Sequence, residues 1–462
     1  MKSNSDKVLL LTSYGKSFSP DSLSPSIGLH RLKHDLKKNN IECDVFDSQL
    51  HSEEDCLNNV AKGRYAVIGI SVTHWRMEFD LDFLWRLKEA AAKSKEKCLF
   101  IAGGHSATQN STQWLECGFD LVVLGFGEEP LLKICERYFT ERETPMRSLF
   151  GDMKAVAFLD FDGKTIFNPA DPVTQLSFEK NSYTMQMEVD TPYHEYWNFI
   201  REKSSKTLAM NNRSYVIENA RLFTSNRCLA TCGYCECIQF LKTAQMSNVS
   251  LCMLSATQVH KMIINIVKRK GAKAFSINDE DFLSGNKLGI KRAIKLCELI
   301  VESKQKNELQ EDLKLSCQTR PRNFFTRDND KNWSVNHKLL KAMSMAKFHN
   351  ISLGVETFSD RLLKSRSINK DDFEVENIRS VLNTLIDYKL FPTINLILGI
   401  PESNVDDLLE TINVAPDYLK KPCQVSVSDV MLAFPGAPIW NSKDYPSTYK
   451  IWTNPKTKKT TR

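Results

Sequence analysis

Short continuous apolar runs alternate with amphipathic stretches through the first third of the chain. Residues 7–13 (KVLLLTS) form an unbroken run, as expected of a strand buried on both faces. Residues 66–72, 98–102 and 121–124 repeat the pattern, residues 42–47 read as a further strand, and residues 25–40 and 79–92 carry helical spacing between them. This alternation predicts an α/β domain over residues 1–145, a doubly wound parallel sheet with its ligand site at the carboxyl ends of the strands. Residues 146–214 lack strong periodicity over most of their length, mix Pro169, Pro172 and Pro192 with aromatic residues, and read as a linker in which Tyr193, Tyr196 and Trp197 pack between domains; within it, residues 154–160 (KAVAFLD) read as a small strand beside a turn at Asp162-Gly163.

Alternation resumes over residues 215–440. Residues 256–270 are predicted to be helical, with Ser255 as N-cap, a stripe through Val259, Met262, Ile263, Ile266 and Val267, and Gly271 as terminator. Strands are predicted at 222–224, 274–278, 314–317, 351–355, 392–398 and 425–432, with helices between them. Six alternations predict a partial (β/α)6 barrel, again with its site at the carboxyl strand ends. Residues 441–462 read as a polar, basic tail without order.

Composition narrows the class. A chain of 462 residues is too long for one compact core, so two domains are expected. A net charge of +6, spread along the chain, does not mark a nucleic-acid binder. No apolar run is long enough to span a bilayer, and the first residues read as a strand rather than a signal peptide. Of 13 cysteines, most are scattered, which fits reduced thiols in a cytoplasmic protein.

Cys228, Cys232 and Cys235 stand apart, in the stretch CLATCGYC. Three closely spaced thiolates suit three irons of a [4Fe-4S] cluster and leave the fourth iron for an outside ligand. Zinc is the alternative, with Cys237 as a fourth sulfur, although Cys235-x-Cys237 is cramped for a zinc ribbon. A disulfide is disfavoured in a cytoplasmic chain. The spacing Cys-x-x-x-Cys-x-x-Cys, with Tyr234 before the last sulfur, resembles the signature of the radical S-adenosylmethionine (SAM) enzymes. That resemblance implies a cluster whose open iron binds the amino and carboxylate groups of SAM.

Other strand ends extend the likeness. Asp279 and Glu280 stand where the family places acceptors for the methionine ammonium, although acids there also complement a helix N-terminus. Gly354-Val355-Glu356-Thr357 is similar to the family's Gly-x-Glu turn, which implies a SAM contact for Glu356. Ile397-x-Gly399-x-x-Glu402 resembles the adenine-side motif, with Asn395 replacing its usual first glycine. Pro435-Gly436-Ala437-Pro438 is similar to a turn of the cobalamin-type subfamily, and Arg320 is placed either to reach the SAM carboxylate or to pair with an acid at the rim. In the first domain, Ser71-Val72-Thr73, Gly103-Gly104-His105 and the run GFGEEP resemble the cobalamin-binding domain of that class B methylase-like subfamily. Ser71, Thr73, Gly103 and Gly104 would then line the slot for the nucleotide tail. The cobalt-binding histidine found in many cobalamin domains is missing, because its place reads Thr12-Ser13-Tyr14-Gly15-Lys16. His74 and His105 read as cleft residues rather than metal ligands.

The resemblance implies SAM cleavage to a 5′-deoxyadenosyl radical and cobalamin-dependent methylation of an unactivated carbon. The substrate would be a small molecule or peptide, and electrons would come from a donor such as flavodoxin or ferredoxin. A cobalamin-independent cyclisation or rearrangement, a methylthiotransferase, and a non-enzymatic metal or cobalamin carrier stay open as alternatives. The methylthiotransferase would need a second cluster, and Cys43, Cys56, Cys98, Cys117 and Cys135 do not fall on the strand ends that would build one.

Overall fold

The computed structural model describes residues 6–13, 23–94, 96–203, 217–327, 333–370, 373–440, 443, 452–453 and 460–461. Tyr14, Gly15 and Lys16, the last part of the linker and most of the 441–462 tail lie outside the described residues.

The first sheet comprises β1 (Lys7–Thr12), β2 (Glu42–Asp47), β3 (Val67–Ser71), β4 (Leu99–Gly103), β5 (Leu121–Val123), β6 (Val156–Leu159) and β7 (Thr165–Asn168). Their order is β2-β1-β3-β4-β5-β6-β7. Strands β1 to β5 are parallel, and β6 and β7 join antiparallel. The unbroken apolar runs follow from burial on both faces: Leu9, Ile68 and Phe100 enter one core, and Val8, Leu10 and Ile101 enter the other. Chain order reverses between β1 and β3, which puts the switch-point crevice above Ser13 and Ser71.

The second sheet comprises β8 (Asn219–Leu222), β9 (Ala274–Ile277), β10 (Lys314–Thr319), β13 (Phe348–Glu356), β14 (Pro392–Ile397) and β15 (Gln424–Ser428). A hairpin of β11 (Phe325–Arg327) and β12 (Trp333–Val335) interrupts the series. The order β15-β14-β13-β10-β9-β8, parallel throughout, follows the chain in steps and leaves two free edges, as in an incomplete barrel. Helix Ala256–Lys270 begins at a Ser255 capping box and ends at Gly271 with φ 71°.

The boundary between domains differs from the sequence expectation. Residues 156–168 close the first sheet, because the Asp162-Gly163 turn folds β6 and β7 into a hairpin along β5. The rest of the connector is largely helical, including Tyr193–Lys203. Tyr193, Tyr196 and Trp197 are buried. Tyr196 Oη donates to Asp47 Oδ2 of the first sheet at 2.8 Å, and Trp197 Nε1 donates to the Asn219 carbonyl of the second at 3.2 Å. The connector therefore bolts the two sheets together. Among the described residues, no helix is long and apolar enough to cross a membrane.

Candidate functional site

The cysteine loop leaves the carboxyl end of β8. Its shape is held by backbone contacts on both sides. Tyr234 N–H donates to the Ser367 carbonyl at 3.0 Å, and Ile439 N–H donates to the Gly233 carbonyl at 3.0 Å. Asn369 Nδ2 donates to the Thr231 carbonyl at 2.7 Å. A Cβ on Gly233 would stand 2.1 Å from the Arg366 carbonyl oxygen, so only glycine fits.

Cys228 and Cys232 are buried with Ala230, and Tyr234 and Cys235 pack against them. Burial pushes the Cys228 thiol up to about 12 and also raises Cys232, so each needs a nearby positive charge to ionise. The irons of a cluster would supply that charge. Cys235 is drawn down by a hydrogen bond from the Cys237 thiol. Among the described residues, no three His, Cys, Asp or Glu side chains converge tightly enough for a single ion. A cube with one thiolate on each of three irons requires its sulfurs to stand farther apart, and a clamped loop presenting three gathered thiols fits that group.

The strand ends around the loop divide into struts and open groups. Asp279 is a strut. Its Oδ1 accepts from the Thr224 and Ser225 amides, and its Oδ2 accepts from Thr224 Oγ1 and, at 3.4 Å, from buried Arg292 Nη2. Asp281 is another, accepting from Thr319 Oγ1, Asn323 Nδ2 and Arg320 Nε. Arg320 therefore pairs with an acid, and Asn395 ties β14 to β13 through Ser352 and Leu353. Glu280 differs. It is accessible and opens onto a cavity; the protein atoms crowding it, with Asp279 beside it, raise its carboxyl against a hydrogen bond from the Cys237 thiol. Of the two acids singled out in the sequence, Glu280 is the one with room for a cation.

Glu356 closes β13 in a left-handed conformation, φ 69°, that disfavours a side chain. The strain is held by Lys370 Nζ, which donates to Glu356 Oε1 at 2.8 Å and to the Gly354 carbonyl at 2.6 Å, and by Tyr234 Oη, which donates to Oε1 at 2.7 Å. Tyr234 thereby links the cysteine loop to β13. Lys370 carried no sequence signal, since only the fold brings it to this strand. Ile397 ends β14, and in the turn that follows a Cβ on Gly399 would meet the Asp429 carbonyl oxygen at 2.6 Å.

The cavity beside Glu280, about 320 Å3, lies between the two sheets. On one side stand Ser71, Gly103, Gly104, Gly125 and Gly127 from the first sheet's strand ends; on the other stand Phe223, Cys237, Phe240 and Asn278-Asp279-Glu280. His105 faces the cavity, stacked on Phe240 with ring centroids 3.7 Å apart, and burial lowers it to about 4, so its ring is neutral. Gly104, with φ 102°, keeps the wall thin above Ser71. Thr73 does not line this cavity. Its amide donates to buried Asp80 Oδ2 at 2.8 Å, and its hydroxyl accepts from Arg76 Nε at 3.1 Å, which holds it in the switch-point network. Gln109, unremarked in the sequence, spans the domains by donating to the Glu236 carbonyl at 3.0 Å and packing under Gly436.

Residues 19–134 match the family described as the B12 binding domain. The whole fold matches OxsB, a cobalamin-dependent S-adenosylmethionine radical enzyme solved with aqua-cobalamin, at TM-score 0.67 and 18% identity over 95% of this chain. It also matches TsrM from Kitasatospora setae, a radical S-adenosylmethionine methyltransferase solved with tryptophan substrate and a SAM analogue, at TM-score 0.66 and 14% identity over 94% of this chain. A second TsrM structure, with cobalamin and a [4Fe-4S] cluster, matches at TM-score 0.65 and 14% identity, over 94% of this chain and 74% of that one. The chain spans 56% of the OxsB chain and 75% of the TsrM chain in the first two comparisons. No curated protein matches the sequence.

Proposed function

We propose that this chain is a corrinoid-dependent radical SAM enzyme that methylates an unactivated carbon of a small molecule or peptide. In this reading Cys228, Cys232 and Cys235 hold a [4Fe-4S] cluster, SAM lies against the open iron, and a corrinoid occupies the cavity between the sheets. One observation carries it. A single cavity is walled by the glycine-rich ends of the first sheet and by Glu280 and Cys237, which is two residues beyond the last cluster thiol. The likeness to the OxsB and TsrM folds, both solved with cobalamin, supports the same reading.

When bound, the cluster with SAM supplies a 5′-deoxyadenosyl radical, and the corrinoid carries the methyl group. The chain's own part is placement and exclusion of water. Glu280 accepts the methionine ammonium, a charge-assisted bond strengthened by its protein surroundings. Lys370 and Tyr234 hold Glu356 in its strained turn toward the SAM side. Ile397 and Gly399 border the adenine. Ser71, Gly103 and Gly104 border the nucleotide tail, and His105, neutral on Phe240, adds an uncharged wall. Electrons come from an outside donor such as a flavodoxin or ferredoxin.

A radical cyclisation or rearrangement is the second reading, because OxsB, matched as well as TsrM, is described as a radical enzyme rather than a methyltransferase. A methylthiotransferase fits less well, since Cys56 and Cys117 pack on one face of the first sheet and Cys43 and Cys135 on the other. The test is anaerobic incubation of reconstituted, corrinoid-loaded protein with SAM and reductant. Release of both 5′-deoxyadenosine and S-adenosylhomocysteine supports methylation. Release of 5′-deoxyadenosine alone selects the rearrangement reading, and release of neither sinks the proposal.

A further inference from the structure

One buried ion pair in the cavity wall has no role in the account above. Arg31 sits on helix Ile27–Lys38, and Glu128 is the first residue of helix Glu128–Thr140. The two helices cover the same face of the first sheet, and Arg31 Nη2 donates to Glu128 Oε1 between them. Arg31 is 7% exposed and Glu128 6% exposed. Glu128 Oε2 and Arg31 Nε are nevertheless buried without a hydrogen-bond partner among the described residues. Both residues line the cavity, beside apolar Leu10, Ile101, Val123 and Leu131.

The fold does not require such a pair, because apolar side chains of similar volume commonly serve as well in a buried position. A buried carboxylate oxygen and a buried guanidinium N–H left unmatched are costly, unless something in the cavity matches them. Both residues line the slot, so a ligand that draws these two side chains toward it would meet one acceptor and one donor set among apolar neighbours. A phosphate suits the slot poorly, since Glu128 would repel it. A flat heteroaromatic base with a donor and an acceptor on one edge is complementary.

We propose that Arg31 and Glu128 select the lower nucleotide base of the corrinoid, favouring an aminopurine over a dimethylbenzimidazole. This rests on the corrinoid reading above. The purine's exocyclic amine donates to Glu128 Oε2, and its ring nitrogen accepts from Arg31 Nε. A nucleotide-linked dimethylbenzimidazole has no N–H to donate and leaves Glu128 Oε2 unmatched.

The test is an absorbance titration of the full-length protein with three ligands: cobamide with an adenine lower base, cobalamin, and cobinamide, which has no nucleotide. Wild type is expected to bind the adenine cobamide roughly 10-fold or more tighter than cobalamin, the discrimination typical of a site built around hydrogen bonds. In the double variant Arg31→Met/Glu128→Leu, checked by thermal melting, cobalamin binding persists and the preference falls to within about twofold or reverses. Wild type binding both cobamides equally, or a folded double variant keeping the preference, overturns the inference. The wild-type ratio decides the matter even if the double variant does not fold. Failure of wild type to bind any of the three overturns the corrinoid reading itself, a result distinct from binding without preference.

Discussion

Gly233→Ala perturbs the cysteine loop without touching a thiol. The new methyl would lie 2.1 Å from the Arg366 carbonyl oxygen and 2.8 Å from that of Ser367, and both are backbone atoms that cannot swing aside. Ordinary contact begins at 3.4 Å, so loop and neighbour must part by about 1.3 Å, the difference between 3.4 and 2.1. The Tyr234–Ser367 and Ile439–Gly233 hydrogen bonds, each 3.0 Å, do not survive such a displacement. Two bonds at about 1 kcal/mol each, with about 1–3 kcal/mol for overpacking, give a cost of about 3–5 kcal/mol. A domain stable by about 5–15 kcal/mol remains folded but holds its thiols in the wrong places. The assay is iron and sulfide per chain after anaerobic reconstitution, paired with a thermal melt. The expected variant is folded, melts lower and binds well under half the wild-type iron. Wild-type iron content at an unchanged melting temperature would refute the clamped-loop argument.

Further outcomes follow from the same geometry. Asp279→Ala leaves Arg292 buried without its carboxylate and should cost about 3–5 kcal/mol of stability in denaturant titration. Glu280→Gln should leave the melt unchanged and weaken SAM binding about 10-fold or more, by loss of a charge-assisted bond; the reverse pattern would exchange the roles assigned to these two acids. Burial raises Asp80 to about 7, against the opposing hydrogen bonds from Ser13 and Thr73. Its contribution to stability is full below about pH 4 and is lost as pH rises through about 7. Melting temperature should therefore fall between about pH 4 and pH 7 and level off above, and Asp80→Asn, which keeps a neutral side chain there, should flatten that fall. An unchanged slope in the variant would show that another group causes it.

The sheets were legible in the sequence because burial on both faces writes uninterrupted apolar runs, as in β1, observed over Lys7–Thr12 where residues 7–13 were expected. Helix Ala256–Lys270 was legible because its cap, stripe and terminator agree. β6 and the Asp162-Gly163 turn were legible, but β7 has no buried residue, so the pairing that adds this hairpin to the first sheet was not and the segment read as linker. The three thiols were visible as a motif. The separation of Asp279 from Glu280 was not, since it depends on Arg292, Thr224 and Ser225 arriving from elsewhere in the chain. Thr73 looked like a slot residue because an extended segment puts it on the same face as Ser71, two positions before it, but a network around Asp80 holds it away. Lys370 and Gln109 act wholly through long-range contacts, which leave no local pattern.

The central claim is that Cys228, Cys232 and Cys235 hold a cluster with one iron open to SAM. Electron paramagnetic resonance of the anaerobically reconstituted, reduced protein tests it most directly. A four-iron signal that shifts when SAM is added, and that disappears when all three cysteines are replaced by alanine, is the predicted result. A signal indifferent to SAM, or one that persists in the triple variant, would contradict the claim.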